Sequence, residues 1–265
     1  VFKMTDKPAR TARKKATSSM AVGMDLLKNG KADAFITAGN TGGALVNGIF
    51  RLGRIPGVKR PALAPSVPVA GGSAIVVDVG ANTDCKPEYL LQFAMLGSLY
   101  AQRVLGIDNP RVGLLSNGEE EGKGNQLVKD TFPLLSGSSL NFTGNAEPKE
   151  VFAGEVDVLV TDGFYGNILI KSSESVAKFL VEIIKDEIKS DVISSLGGLL
   201  AKPAFKRVFS VLDPAEYGAA PLLGVKGLVF VGHGRSDARA LVNAVGQARD
   251  AVERGLLEAM LTGIE

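Results

Sequence analysis

A lysine set among glycines is the first group in this sequence whose surroundings suggest chemistry. Gly118, Gly122 and Gly124 flank Lys123, and Asn125 follows. An apolar run over residues 111–117 precedes them, and a helical pattern begins at Gln126. Glycines let a backbone close on a ligand. An ammonium supplies a compact positive charge, and the first N–H groups of a helix favour an anion. The combination reads as an anion site, with phosphate as the fitting anion. It is not a nucleotide-hydrolysing P-loop. Only three residues separate Gly118 from Gly122, and Gly124 stands where Ser or Thr is required. For one such loop taken alone, a solvated turn is the plain alternative.

The same arrangement recurs along the chain. Gly39, Asn40, Thr41 and Gly42 follow a short apolar run at 32–37; Gly80, Asn82 and Asp84, with Lys86 beyond, follow 74–79. Gly144 and Asn145 follow 140–143; Asp162, Gly163, Gly166 and Asn167 follow 156–161; Gly232, His233 and Gly234 follow 228–231. Helical patterns come between these runs, the last opened by Ser236 as N-cap. Alternating strands and helices predict an α/β fold with a mostly parallel sheet covered on both faces. Ligands of such sheets sit at the carboxyl ends of the strands. The recurrent loops are therefore expected to meet at one sheet edge. Their groups donate hydrogen bonds and bind anions; they are not strong bases.

Two regions break the alternation. Residues 56–72, rich in Pro and Gly, read as a long connection. Residues 190–212 read as an amphipathic helical excursion of two short pieces split at Pro203. Phe205, Val208, Phe209 and Leu212 share a helical face there, beside Lys206 and Arg207. Internal packing, a dimer contact and a helix lying in a membrane surface all stay open for this face.

Bulk properties narrow the classes. With 265 residues and a net charge of +2, the chain can bury a real core and shows no dense basic stripe for nucleic acid. Lys3, Lys7, Arg10, Arg13, Lys14 and Lys15 form a basic opening that suits an acidic ligand or partner. Cys85 is the only cysteine and His233 the only histidine, so an internal disulfide is ruled out and a His-based metal site or triad is hard to assemble. The longest uncharged run, residues 61–77, is interrupted by Pro and Gly and does not read as a membrane span.

Taken together, the motifs resemble a known family over nearly the whole chain. Arg13-Lys14-Lys15, Gly39-Asn40-Thr41-Gly42, Asp78-Val79-Gly80-Ala81-Asn82, Lys86-Pro87, Lys123-Gly124-Asn125, Asp162-Gly163-Phe164-Tyr165-Gly166-Asn167, Tyr217-Gly218 and His233-Gly234 occur in the order seen in the phosphate acyltransferases of bacterial phospholipid synthesis, PlsX. The resemblance implies transfer of a long-chain acyl group from acyl carrier protein to inorganic phosphate. It implies a homodimer with a three-layer α/β/α fold, similar to isocitrate- and isopropylmalate-type dehydrogenases and related to phosphotransacetylase. It also implies a cytoplasmic protein peripherally associated with the membrane, whose product goes to a membrane glycerol-phosphate acyltransferase. The chain reads as a single catalytic unit, residues 1–265, without the strand and loop that open the family's sequences.

Phosphate is already a nucleophile and a thioester a good acyl donor, so the chemistry calls for positioning and oxyanion stabilisation rather than a metal or cofactor. Lys123 is expected to bind phosphate and Asn167 to donate to the oxyanion. Asn40, Thr41, Asn82, Asp84, Lys86, Gly124, Asn125, Asp162 and Gly166 are expected to shape the substrate site. Two other classes stay open: a non-catalytic membrane-associated scaffold, which would bind without turnover, and an isocitrate-type oxidoreductase, which would reduce a nicotinamide.

Overall fold

The computed structural model describes residues 17–264. The expected α/β fold is present, but its strands divide between two sheets. One has the order β1 (Ala34–Thr37), β9 (Leu228–Val231), β8 (Ala220–Leu223), β2 (Ala62–Leu63). The other runs β3 (Ser66–Val69), β4 (Gly72–Val77), β7 (Val158–Val160), β5 (Val112–Leu115), β6 (Phe142–Ala146). β4, β7, β5 and β6 are parallel to one another, as are β1 and β9. β2, β3 and β8 join antiparallel partners.

The supposed connection at 56–72 is what ties the sheets together. β2 pairs with β8, and Ala64 N donates to Pro221 O at 3.1 Å. Val76 N of β4 then donates to Pro65 O at 3.1 Å, and β3 continues along β4. Prolines are tolerated here because these short strands lie at sheet edges, where a missing N–H breaks no ladder on both sides.

Helix α3 (Pro87–Tyr100) fills the space between the two sheets. Its Leu90, Phe93, Ala94 and Leu96 share one buried cluster with Val77, Val158 and Val160 of one sheet and Leu223, Leu228 and Phe230 of the other. Gly97 permits this approach: a Cβ there would lie 2.7 Å from Val158 Cγ1. Truncating Phe93, which is fully buried, is expected to cost about 3–5 kcal/mol. The remaining helices are α1 (Ser19–Lys28), α2 (Thr41–Asn47), α4 (Gln126–Ser136), α5 (Pro148–Phe152), α6 (Gly163–Ile188), α7 (Val192–Val211), α8 (Ala238–Glu253) and α9 (Leu256–Thr262). Asp237, rather than Ser236, caps α8 by accepting from Ala240 N at 2.9 Å.

The excursion at 190–212 is one helix, not two pieces. Pro203 lies inside α7. Proline removes the bond to the carbonyl four residues earlier, that of Leu199. No residue of α7 is buried, so solvent can satisfy that carbonyl and the helix continues. Phe205 and Phe209 stack at 5.8 Å, Lys185 of α6 covers the Phe209 ring at 5.4 Å, and Val208 and Leu212 stay exposed. The most open apolar side chains lie nearer the start: Ile193 and Leu200 are 82% and 84% exposed. Among the described residues no helix is long and apolar enough to cross a membrane.

Candidate active site

The second sheet gathers most of the expected site. β7 lies between β4 and β5, so the loops leaving their carboxyl ends are neighbours, with strand spacings of about 4.8 Å. Asn82 and Asp84 leave β4, Asp162 to Asn167 leave β7, and Lys123 to Asn125 leave β5. Asn40 and Thr41 follow β1 in the first sheet, so the single shared edge expected from sequence is two edges. They are held together beside α6. Arg235, in the loop after β9, pairs with Glu174 of α6 at 3.4 Å. Ala81, in the loop after β4, packs against the cluster of Met24, Ala44, Leu63, Leu222 and Val231.

Several side chains that looked like ligand groups are helix caps. Asn40 accepts from Gly43 N at 2.7 Å, Asn125 from Val128 N at 3.0 Å, and Asp162 from Phe164 N and Tyr165 N at 2.9 and 2.8 Å. An Asx residue between a strand and a helix is in the cap position, and the cap occupies its oxygen. The effect on a ligand is indirect: each cap fixes the helix start that faces the loop edge.

Asn82 is also committed to the frame. Its side-chain amide donates to Pro61 O at 2.8 Å and to Asp78 Oδ2 at 3.0 Å. Asp78, at the end of β4, is the hub. It accepts from Leu63 N at 2.8 Å, Asn82 N at 2.6 Å and Ala81 N at 3.3 Å. Burial raises its carboxyl to about 6, against the lowering pull of the hydrogen bonds from Leu63 and Asn82. Asp78 belongs to one of the motifs but not to the expected site residues. Its signal was an acidic residue closing an otherwise apolar strand. Gly163 and Gly166 let α6 start against this hub. A Cβ on Gly163 would lie 2.8 Å from Asp78 Oδ2, and one on Gly166 would overlap the Asp78 carbonyl oxygen.

Lys123 and Asn167 are among the expected residues whose side chains stay uncommitted. The Asn167 side-chain amide, half-buried near the start of α6 beside Gly80, has no hydrogen-bond partner among the described residues. Lys123 is exposed and has no ion pair among the described residues, although Glu119, Glu120 and Glu121 precede it. The loop explains this. Glu119 is drawn to Lys149 at 2.7 Å, where Glu147 and Glu150 also converge at 2.9 and 3.2 Å. Lys149 thus sits within a carboxylate trio, and the hydrogen bonds it donates, that to Glu119 first, raise its pKa. Asn145 Nδ2 holds Glu120 O at 2.8 Å, Asn117 Oδ1 accepts from Gly124 N at 2.9 Å, and Gly124 has φ +93°, a value that favours glycine. Ser116 Oγ and Asn145 Oδ1 are buried beneath this loop without partners among the described residues.

The other expected residues divide. Asp84 and Lys86 are exposed at the mouth of α3, and Thr41 is half-buried at the start of α2. Burial pushes the Cys85 thiol up to about 12, with Asp78 and Asp162 adding to the shift, so it is no thiolate nucleophile. His233 lies exposed in a turn closed by Ser236 N donating to His233 O at 2.9 Å. Arg10, Arg13, Lys14 and Lys15 lie outside the described residues.

Comparison with known proteins gives a consistent picture. A family model described as "Fatty acid synthesis protein" matches residues 1–259. The phosphate acyltransferase of Elusimicrobium minutum is 48% identical over 257 residues, covering 97% of this chain and 75% of that protein. That of Aquifex aeolicus is 49% identical over 242 residues, covering 91% and 72%. Among solved structures, EutD phosphotransacetylase from Staphylococcus aureus superposes with a TM-score of 0.58 at 15% identity, covering 96% of this chain and 78% of that one. A phosphotransacetylase from Streptococcus pyogenes gives 0.57 at 18% identity, covering 94% and 75%. At those identities the structural likeness speaks for the fold.

Proposed function

This chain belongs to the PlsX family of phosphate acyltransferases, and from that premise we propose that it moves a long-chain acyl group from the thioester of acyl carrier protein to inorganic phosphate, releasing acyl phosphate. Acyl transfer to phosphate in fatty acid and phospholipid synthesis is the family's activity. The donor, the product and the residue roles are our reading. The observation that carries it is that an uncommitted cation and an uncommitted amide, Lys123 on the loop after β5 and Asn167 on the helix after β7, follow adjacent strands.

In this reading Lys123 and the N-terminal N–H groups of α4 hold phosphate, and a phosphate oxygen attacks the thioester carbonyl. Asn167 donates to the oxyanion that forms, and collapse expels the carrier thiolate. Asp78, Asn82, Asp162 and Gly166 keep the loops in register, and Gly124 lets the chain turn into α4. Asp84, Lys86 and Thr41 border the substrate. A preset donor aimed at a developing oxyanion costs no reorganisation at the moment of reaction.

The exposed apolar side chains of α6 and α7, among them Phe179, Leu180, Ile193 and Leu200, support a homodimer that also rests on a membrane surface. A protein so placed on the cytoplasmic face would pass acyl phosphate to a membrane glycerol-phosphate acyltransferase. The test is mass spectrometry of reactions containing palmitoyl acyl carrier protein with and without phosphate. Phosphate-dependent palmitoyl phosphate is expected. Lack of product from a folded chain overturns the reading.

A further inference from the structure

A basic cleft opens beside the catalytic loops and has no role in the chemistry above. Ile49, Arg54, Lys59, Arg60, Pro61 and Tyr89 line a cavity of 510 Å³. Three of the six are cations, and all three are exposed. Lys59 has a distant carboxylate, Glu88 at 3.8 Å, whereas Arg54 and Arg60 have none among the described residues. Arg54 donates to the Lys59 carbonyl. Arg60 lies over the Tyr89 ring at 5.8 Å, a contact that orients the guanidinium without neutralising it.

The floor of the cleft is built rather than loose. Lys59 N donates to Gln92 Oε1 at 2.8 Å, and Gln92 Nε2 donates to Gly57 O at 2.9 Å. These bonds fix residues 57–59 to α3. Pro61 O accepts from Asn82 Nδ2 at 2.8 Å. The inner wall of the cleft is therefore bonded directly to the loop after β4, which Asp78 organises. A ligand held by the three cations would extend toward that loop.

We propose that Arg54, Lys59 and Arg60 form the docking cleft for the acidic face of the donor carrier protein, with the phosphate of its pantetheine arm between them. This rests on the donor assigned above. The charge pattern favours it: the cluster is positive and preset, and Lys123 is not among the residues that line it. Rim charges of this kind govern encounter more than the later chemistry.

The test compares the parent chain with R60E, K59E and the conservative R60K, using two donors. One is palmitoyl acyl carrier protein; the other is the palmitoyl thioester of N-acetylcysteamine, which has neither carrier nor phosphate. R60E and K59E are expected to raise KM for the carrier donor by about tenfold. Each should hold its kcat at saturating carrier and its rate with the small donor, and R60K should restore most of the loss. The parent's KM for the carrier should rise with salt, and that of R60E should rise less. Equal losses with both donors, or no change with either, overturn the cleft's role. So does loss of binding to phosphatidylglycerol vesicles with an unchanged carrier KM, which would make the cleft a membrane contact. Failure of the parent to use the carrier donor while it turns over the small one overturns the donor assignment itself, and the docking role falls with it.

Discussion

Asp78 grips Asn82 at two points with one oxygen: Oδ2 accepts the Asn82 backbone N–H at 2.6 Å and its side-chain amide at 3.0 Å. The carboxyl is buried and pushed up to about 6 from 3.8. Between those values the native state binds more protons than the unfolded chain, so this group's contribution is full below about pH 4 and is lost as pH rises through 6. A shift of that size corresponds to roughly 3 kcal/mol. Asp78→Asn abolishes the titration. The gap in urea-unfolding free energy, parent minus variant, should fall by up to about 3 kcal/mol between pH 4 and pH 7. A flat gap would show that Asp78 does not titrate in this range.

Gly166→Ala should be far more harmful than an ordinary helical substitution. Its new methyl would overlap the Asp78 carbonyl oxygen, a backbone atom with little freedom to move. Overpacking of this kind costs about 1–3 kcal/mol, and here the first turn of α6 must shift, taking Asn167 with it. Activity should drop below detection, and the melting temperature should fall. Gly246→Ala in α8, where nothing lies within 4 Å, should stabilise by about 0.5–1 kcal/mol. Melting curves of the two variants side by side check both statements.

Lys123 and Asn167 should fail in different ways. Lys123→Ala removes the cation expected to hold phosphate, so the loss should appear largely in the phosphate KM and worsen at low phosphate. Asn167→Ala removes a donor needed as the oxyanion forms, and kcat should fall on the order of a hundredfold with little change in either KM. Identical kinetic signatures for the two variants would reject the division of labour.

The α6–α7 pair offers a choice of probes. Phe209 stacks on Phe205 beneath Lys185, so Phe209→Glu should loosen the pair itself and lower the melting temperature. Leu200, 84% exposed, should accept Glu with no loss of fold. Leu200→Glu should weaken pelleting with anionic vesicles. Unchanged pelleting together with a halved mass in solution would assign this face to the dimer alone.

The parallel α/β scheme was legible because buried strands and Gly-Asx loops alternate in the sequence. The division into two sheets was not. It depends on β2, β3 and β8, short strands joined antiparallel, of which β3 and β8 contain proline, and such segments carry no period to read. Pro203 misled for a related reason: its penalty depends on whether the lost bond is buried, and on α7 it is exposed. In the site, residue type alone did not separate a ligand group from a cap. Asn40, Asn125 and Asp162 have the chemistry of both, and only the register of the following helix assigns them. Lys123 and Asn167 stood out in sequence by motif; the structure adds that neither is engaged elsewhere among the described residues.

Helix α6 begins at the reaction edge and runs for 26 residues to the turn before α7. At 1.5 Å per residue it is a strut roughly 39 Å long. Asn167 lies near its start, and its far end meets the open apolar side chains at the start of α7. Any surface that holds that far end therefore sets the height of the oxyanion donor above it. Inserting four residues into the strut would move that height by about 6 Å and rotate its far end by about 40° relative to the edge.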